Sequence, residues 1–297
     1  EAVCQLREGT IISMPNGGSP ETRLNFPDPL SGKSTLPVRV STDDWKTVKT
    51  FRASFQVPLA RFFYPVRGLI ELDDGRLLMT MYGRMHGDRI REDSPVGFEL
   101  RTPWIKTRVI VVQSKDRGKS WQYLSTVSYN PQLGFEGQNE SDLIRLPSGL
   151  LAVFMRTGIH GYVDKHGRKN LDQPLLVSWS ADNGTNWSDP QRIHVGDRLI
   201  AGIYPRALLT KQNVLAVLRC RPDCSVIFSP NGDGGFWSDE HIYNRPGNGP
   251  RHAGMQDMAL IGPNTMLVVD VVHKGAWRVE GVPITVTKKA RKVERPR

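Results

Sequence analysis

Short apolar runs broken by tight polar turns recur along the chain: "LREGTII", "IELDDGRLLM", "IRLPSGLLAV", "LLTKQNVLAV" and "ALIGPNTMLVV". Runs rich in Leu, Val and Ile and bounded by Gly, Asn, Asp or Pro predict strands paired as hairpins. A second motif follows the first. "SKDRGKSW" (114–121) and "SADNGTNW" (180–187) share S-x-D-x-G-x-x-W, "SPNGDGGFW" (229–237) keeps its D-x-G-x-W part, and "STDDW" (41–45) is a shorter echo. In such a segment the Asp accepts backbone N–H groups, the Gly supplies a positive φ and the Trp packs beneath, which makes a fastened hairpin turn and not a catalyst.

Hairpin, loop and fastened hairpin form a four-stranded unit. It recurs roughly every 50 to 70 residues with no helical pattern between copies, so the chain is expected to be all-β, a β-propeller of four-stranded blades. The blades are placed at about 1–57, 62–130, 135–194, 200–245 and 250–287, five in all, as one domain over 1–287. A solenoid and a tandem sandwich are the other architectures with this pattern.

Hairpin arithmetic brings particular side chains together. With Pro147, Ser148 and Gly149 as the turn, residues whose numbers sum to 296 face each other, and Glu140 faces Arg156, close enough for a charge-assisted contact. The same count pairs Tyr64 with Arg84 and Arg67 with Met81. One hairpin further it pairs Tyr204 with Arg219 and Arg206 with Val217, leaving Arg221 at the extreme end. These residues lie away from the fastened turns, where a propeller keeps its pocket. Arginine suits a bidentate grip on a carboxylate or sulfate.

Composition adds limits. The 297 residues carry a net charge of +10, but residues 288–297, "KKARKVERPR", hold six Lys or Arg against one Glu. Half of the surplus is thus a basic tail, and the remainder is compatible with an anionic ligand. Aromatic residues do not interleave with basic ones on any segment, so no nucleic-acid partner is expected. No apolar run approaches the roughly 18 residues of a membrane span, so no membrane partner is expected either. Of three cysteines, Cys220 and Cys224 flank a three-residue turn and are read either as a local disulfide or as two small buried residues. No further Cys or His has ligand spacing beside them, and no metal or cofactor is expected. The chain begins on a strand-like "EAVCQL" without a leader, so a preceding piece is expected to be removed or missing, in keeping with a secreted or periplasmic protein.

The repeats, together with "NESDLIRLPSGLLAVFMR" (139–156), resemble the sialidase superfamily, the neuraminidase-like propellers with Asp-box or BNR repeats. The resemblance implies a glycoside hydrolase acting on a carboxylate-bearing sugar or glycan. In it Glu140 is the base that activates the nucleophile, and Arg156 is one of three arginines on the carboxylate. A further arginine falls on Arg221 or Arg219. The family's nucleophile is a tyrosine, and Met255 stands where it is expected, so Tyr64, Tyr82 or Tyr204 would have to supply it from another blade. Six blades are the family norm. Either the first blade is absent here, or Arg67 takes the place of its arginine and Asp88 or Asp93 that of its acid. Two other chemistries fit the same positive face. One is a lyase on acidic polysaccharides using Arg with His86, His252, Tyr82 or Tyr64; the other is a non-catalytic carbohydrate-binding propeller. The oligomeric state is left open.

Overall fold

A computed structural model describes residues 2–15, 24–88, 90–91, 104–130, 137–157, 174–220, 223–244, 251–273 and 276–287. For residues 90–91, 104–105, 251–255 and 273 the description is of the backbone alone. Strands follow one another along the chain, most of them pairing antiparallel with a neighbour in sequence. The first stretch holds β1 (Ala2–Gln5), β2 (Ile11–Met14), β3 (Leu24–Asn25), β4 (Lys33–Ser41) and β5 (Lys49–Gln56). The second holds β6 (Ala60–Glu71), β7 (Leu77–Met85), the short pair β8 (Ile90–Arg91) and β9 (Trp104–Ile105), then β10 (Arg108–Ser114) and β11 (Ser120–Ser128). The third holds β12 (Asn139–Arg145), β13 (Leu151–Arg156), β14 (Leu176–Ser180) and β15 (Gln191–Arg192). A small hairpin, β16 (His194–Val195) and β17 (Arg198–Leu199), leads to β18 (Ile203–Leu209), β19 (Leu215–Cys220), β20 (Cys224–Ser229) and β21 (Asp239–Asn244). The last segment holds β22 (Arg251–Leu260), β23 (Thr265–His273) and β24 (Trp277–Thr285). There is no helix among the described residues.

The first two groups merge. Strands β5 and β11 pair in parallel, Ser54 with Ser120 and Gln56 with Gln122, so one nine-stranded sheet runs β1-β2-β4-β5-β11-β10-β7-β6-β3. At this joint the inward neighbours Phe55 and Trp121 stack with ring centroids 6.0 Å apart. Each buried ring of this size contributes roughly 1.5–3 kcal/mol. Apolar side chains fill the spaces between successive sheets. Leu151, Val153 and Met155 pack toward Leu78, Val109 and Val111, while Ala152 and Phe154 on the opposite face of β13 pack toward Leu215, Val217 and Trp237. A strand buried on both faces reads as a continuous apolar run, as "LLAVFM" does.

The fastened turns form as their residues dictate. Ser114 Oγ donates to Asp116 Oδ1 at 2.8 Å and accepts the Gly118 N–H at 2.8 Å, Asp116 accepts the Ser120 N–H, and Trp121 Nε1 donates to the Gly118 carbonyl at 3.0 Å. Ser180, Asp182, Gly184, Asn186 and Trp187 repeat the set. Gly118 and Gly184 sit at φ 83° and 85°, which an L residue rarely adopts. The Asn186 backbone N–H, then its side chain, hold the Asp182 carboxyl down at about 2. These turns stand at the hairpin-turn end of the strands: Ser114 faces Leu77 and Ser180 faces Leu151. The expected candidate side chains lie at the other end.

Candidate active site

Strands β6, β12, β18 and β22 bring their inward-facing side chains together, and bulges decide which ones. On β12 the pairing matches expectation up to Ser141 opposite Met155 and then shifts, so that Asn139, not Glu140, faces Arg156. Glu140 is the extra residue. The expected contact survives: Arg156 Nη1 donates to Glu140 Oε1, with both side chains more than nine-tenths buried. A bulge re-aims a side chain and bends its strand locally, and a long side chain can still reach its partner.

Strand β6 departs further. Near its turn Leu69 faces Met79 as expected, but beyond it Pro65 faces Met81 and Tyr64 faces Tyr82. The expected pairs Tyr64–Arg84 and Arg67–Met81 are thus corrected: Arg84 faces Phe62, and Arg67 lies within a bulge between Pro65 and Leu69. The bulge drives Arg67 into the centre, where Nη2 donates to the Gln256 carbonyl, Nη1 lies 3.8 Å from Asp257, and the guanidinium carbon stands 5.7 Å from the Tyr204 ring centroid. Burial pulls the Arg67 pKa down, while Asp257 and Asp142 pull it back up.

Gly68 makes this approach possible. A Cβ there would lie 2.4 Å from the Leu143 backbone nitrogen and 2.5 Å from Thr80 Oγ1, so β6 and β12 touch at a position that only glycine fits. Gly68→Ala is therefore expected to cost about 3 kcal/mol by overpacking. A urea midpoint shifted down at constant slope is the measurement that checks it.

On β18 the register is one residue off the expected count. Lys211, Gln212 and Asn213 form the turn, Asn213 at φ 58°, and Arg206 faces Leu218 instead of Val217. Another irregularity separates Ile203 from Arg206, and Tyr204 within it sits at φ 49°. The expected Tyr204–Arg219 pair is not part of the regular register. Tyr204 turns instead to Glu140: its N–H donates to Glu140 Oε2 at 3.0 Å, and the Glu140 charge, after burial, raises the pKa of its phenol.

The cluster has two layers. One layer holds Glu140, Arg156, Tyr204 and Tyr82, with Tyr64 stacked on Tyr82 at 5.2 Å between centroids. Two residues further along β12 and β18, Asp142 accepts the Ala207 N–H at 2.7 Å and pairs with Arg206 at 3.5 Å, and Arg206 also reaches the exposed Asp257 at 3.1 Å. Residues i and i+2 of a strand share a face, which explains the layering. Burial first, then the Glu140 charge, raises the pKa of both phenols, Tyr82 and Tyr204. Burial also raises that of Asp142, against the opposing pull of Arg206. The phenols are therefore neutral and need a base to become nucleophilic.

Other sequence-derived candidates lie elsewhere. Asp88 accepts both Arg108 Nε and Nη2 and the Met85 N–H, so its carboxylate is held by its own sheet. Arg84 donates weakly to the Asp88 carbonyl, and His86 is exposed and contacts Arg61. Arg219 is buried against Glu240. Cys220 and Cys224 form a disulfide across the loop that carries Arg221. Arg221, Asp93 and residues 288–297 lie outside the described residues, as do the side chains of His252 and Met255. The sequence reading missed Asp142, Gln256 and Asp257. Inward parity with Glu140 marked Asp142, but nothing local marked the other two. Among the described residues no cluster of three or more His, Cys, Asp or Glu has the arrangement to hold a metal ion.

No family model and no curated protein matches the chain. Solved structures do. A protein of unknown function from Dyadobacter fermentans is 18% identical with a TM-score of 0.65, covering 96% of this chain and 76% of that one. The Penicillium chrysogenum alpha-L-arabinanase, complexed with arabinobiose, is 16% identical with a TM-score of 0.58, covering 95% and 75%. The leech intramolecular trans-sialidase is 13% identical with a TM-score of 0.55, covering 84% of this chain and 36% of that one. The chain therefore has the β-propeller fold of these glycosidases, sialidase and arabinanase alike.

Proposed function

We propose that this protein is a glycoside hydrolase of the sialidase type, acting on a carboxylate-bearing sugar with a rearranged catalytic pair. The bond from the Tyr204 N–H to Glu140, which sets the two residues side by side, carries the reading. Tyr204 is part-exposed and Glu140 is buried, so in this scheme substrate meets the tyrosine and the carboxylate acts through it. In this scheme Glu140 accepts the phenolic proton as the Tyr204 oxygen attacks the anomeric carbon, the glycosidic bond breaks, and the leaving oxygen departs with the electron pair. A neutral phenol approaches an anionic sugar without the repulsion that a carboxylate nucleophile suffers. Arg156 beside Glu140 and Arg67 near Tyr204 are the guanidinium groups that would meet the carboxylate of an acidic ring in this scheme. Tyr204 thus takes the role that the family resemblance assigns to the Met255 position, and Tyr64 and Tyr82 form the aromatic wall beside it.

Elimination on a uronate is the weaker reading. It needs a ready base, and both central phenols are shifted toward the protonated form while His86 stands exposed beside Arg61. The deciding experiment offers the protein an aryl sialoside, an aryl arabinofuranoside, an aryl galactoside and a uronate polysaccharide. Fluorophore or phenol release from the sialoside alone is expected. Turnover confined to the neutral glycosides, or an unsaturated uronate product, would overturn the proposal, and binding without turnover would leave a carbohydrate-binding propeller.

A further inference from the structure

Tyr204 holds a conformation that its own sequence disfavours. Its φ is 49°, in the left-handed region, and a bulky residue ahead of a proline, here Pro205, prefers extended backbone. Such a residue persists only where its surroundings over-determine it. Two of the restraints are hydrogen bonds: the Tyr204 N–H donates to Glu140 Oε2 at 3.0 Å, and the Ile203 carbonyl just before it accepts from Gln256 Nε2 at 3.3 Å. A third comes from β19. Ile203 faces Cys220, and the ladder between β18 and β19 is regular again only at Arg206 opposite Leu218. The irregularity at Tyr204 thus cuts the Ile203–Cys220 pair off from the rest of its ladder, and Cys220 is also the last residue of β19. A pair at a strand end frays unless something holds it. On the other side of β19, pairing with β20 runs from Leu215 opposite Ser229 to Arg219 opposite Ser225, and the next position in that count is Cys220 with Cys224. A disulfide joins the two there. Ile203, Cys220 and Cys224 are buried in one apolar cluster, against which Tyr204 and Tyr243 pack.

We propose that Cys220 and Cys224 are positioning residues for Tyr204: their disulfide fixes the strand end on which Ile203 leans, and so keeps the β18 irregularity in the shape that sets Tyr204 beside Glu140. The inference rests on the reading of Tyr204 as the attacking group. Both cysteines are fully buried, so the bond acts on geometry and not by touching substrate. Without it the Tyr204 backbone relaxes toward the extended conformation that Pro205 favours, and its N–H leaves Glu140. Misplacement of a reacting group by an ångström costs roughly a hundredfold in rate. Arg156 and Arg67, which meet the substrate carboxylate in the proposed scheme, lie on β13 and β6 and keep their places, so binding changes little.

The full chain carrying Cys220→Ala with Cys224→Ala tests this at a temperature well below its melting point. Turnover of an aryl sialoside should fall roughly ten- to a hundredfold in kcat while KM stays within about twofold. Hydrogen exchange gives a readout independent of turnover: the Tyr204 amide should exchange roughly tenfold or more faster, and the amides of β13 should keep their rates. Cys220→Val with Cys224→Val retains apolar packing without the bond and should repeat this pattern. If either folded pair keeps the natural kcat and the natural Tyr204 exchange rate, the bond does not position Tyr204 and the proposal is overturned. Exchange that quickens equally at Tyr204 and in β13 overturns it too, because a bridge that only stabilises the fold acts on both alike. A natural chain that turns over no glycoside, but whose Tyr204 amide is released in both variants, upholds the positioning and overturns the chemistry assigned to Tyr204.

Discussion

Replacing Glu140 with Gln is expected to lower turnover of an aryl sialoside roughly a thousandfold while the protein stays folded. The substitution keeps the shape of the side chain. Its amide oxygen still accepts the Tyr204 N–H, now bonded at 3.0 Å, but the neutral group cannot take a proton from the phenol, whose pKa burial has already raised. Stability falls for a separate reason. Arg156 is more than nine-tenths buried and loses its charged partner, a change worth about 1–3 kcal/mol for a charge-assisted hydrogen bond. The two effects separate by measurement: kcat for the chemistry, the urea midpoint for the fold. A variant with wild-type kcat would remove Glu140 from the reaction, and with it the role assigned to Tyr204.

Glu240→Ala is expected to be the most destabilising single change, about 3–5 kcal/mol. Three groups converge on this carboxylate: Arg219, buried to 96% of its side chain, the more exposed Arg198, and Ser225 Oγ at 2.5 Å. Deleting the carboxylate leaves the buried Arg219 guanidinium with the Asp223 backbone carbonyl and only the Asp223 charge to offset it among the described residues. A fall in melting temperature of roughly 10 °C is anticipated for a domain of this size. Arg219→Met added to Glu240→Ala should return most of it, because a buried pair replaced by apolar groups is far less costly than half a pair. This result also bears on function. If Glu240→Ala melts like the natural protein, Arg219 is not committed to the ion pair and regains its place as a candidate carboxylate ligand.

The Glu140–Arg156 contact shows how far local reasoning carries. Turn residues set the hairpin register from "PSG" outward, and the count was right as far as Ser141 opposite Met155. The bulge at Glu140 shifted the backbone pairing by one residue, yet long side chains on one face still met. Arg67 shows the opposite case. Its place was counted correctly from the turn only as far as Leu69, and the bulge that aims it at Gln256 exists because β6 must press against β12 at Gly68. Asp142 could be placed inward by parity with Glu140, but its partners Arg206 and Ala207 come from a strand more than sixty residues away.

By itself the sequence determined the all-β class, the succession of hairpins, the fastened turns and the meeting of Glu140 with Arg156. Each depends on residues within one hairpin or one turn, where spacing, turn chemistry and side-chain alternation leave few conformations open. Only the tertiary structure decided which arginines and carboxylates share the centre. That choice rests on bulges, and a bulge forms where a neighbouring strand, distant in the chain, demands closer packing or a redirected side chain. The partnership of Tyr204 with Glu140 is of this second kind, and the proposed chemistry depends on it.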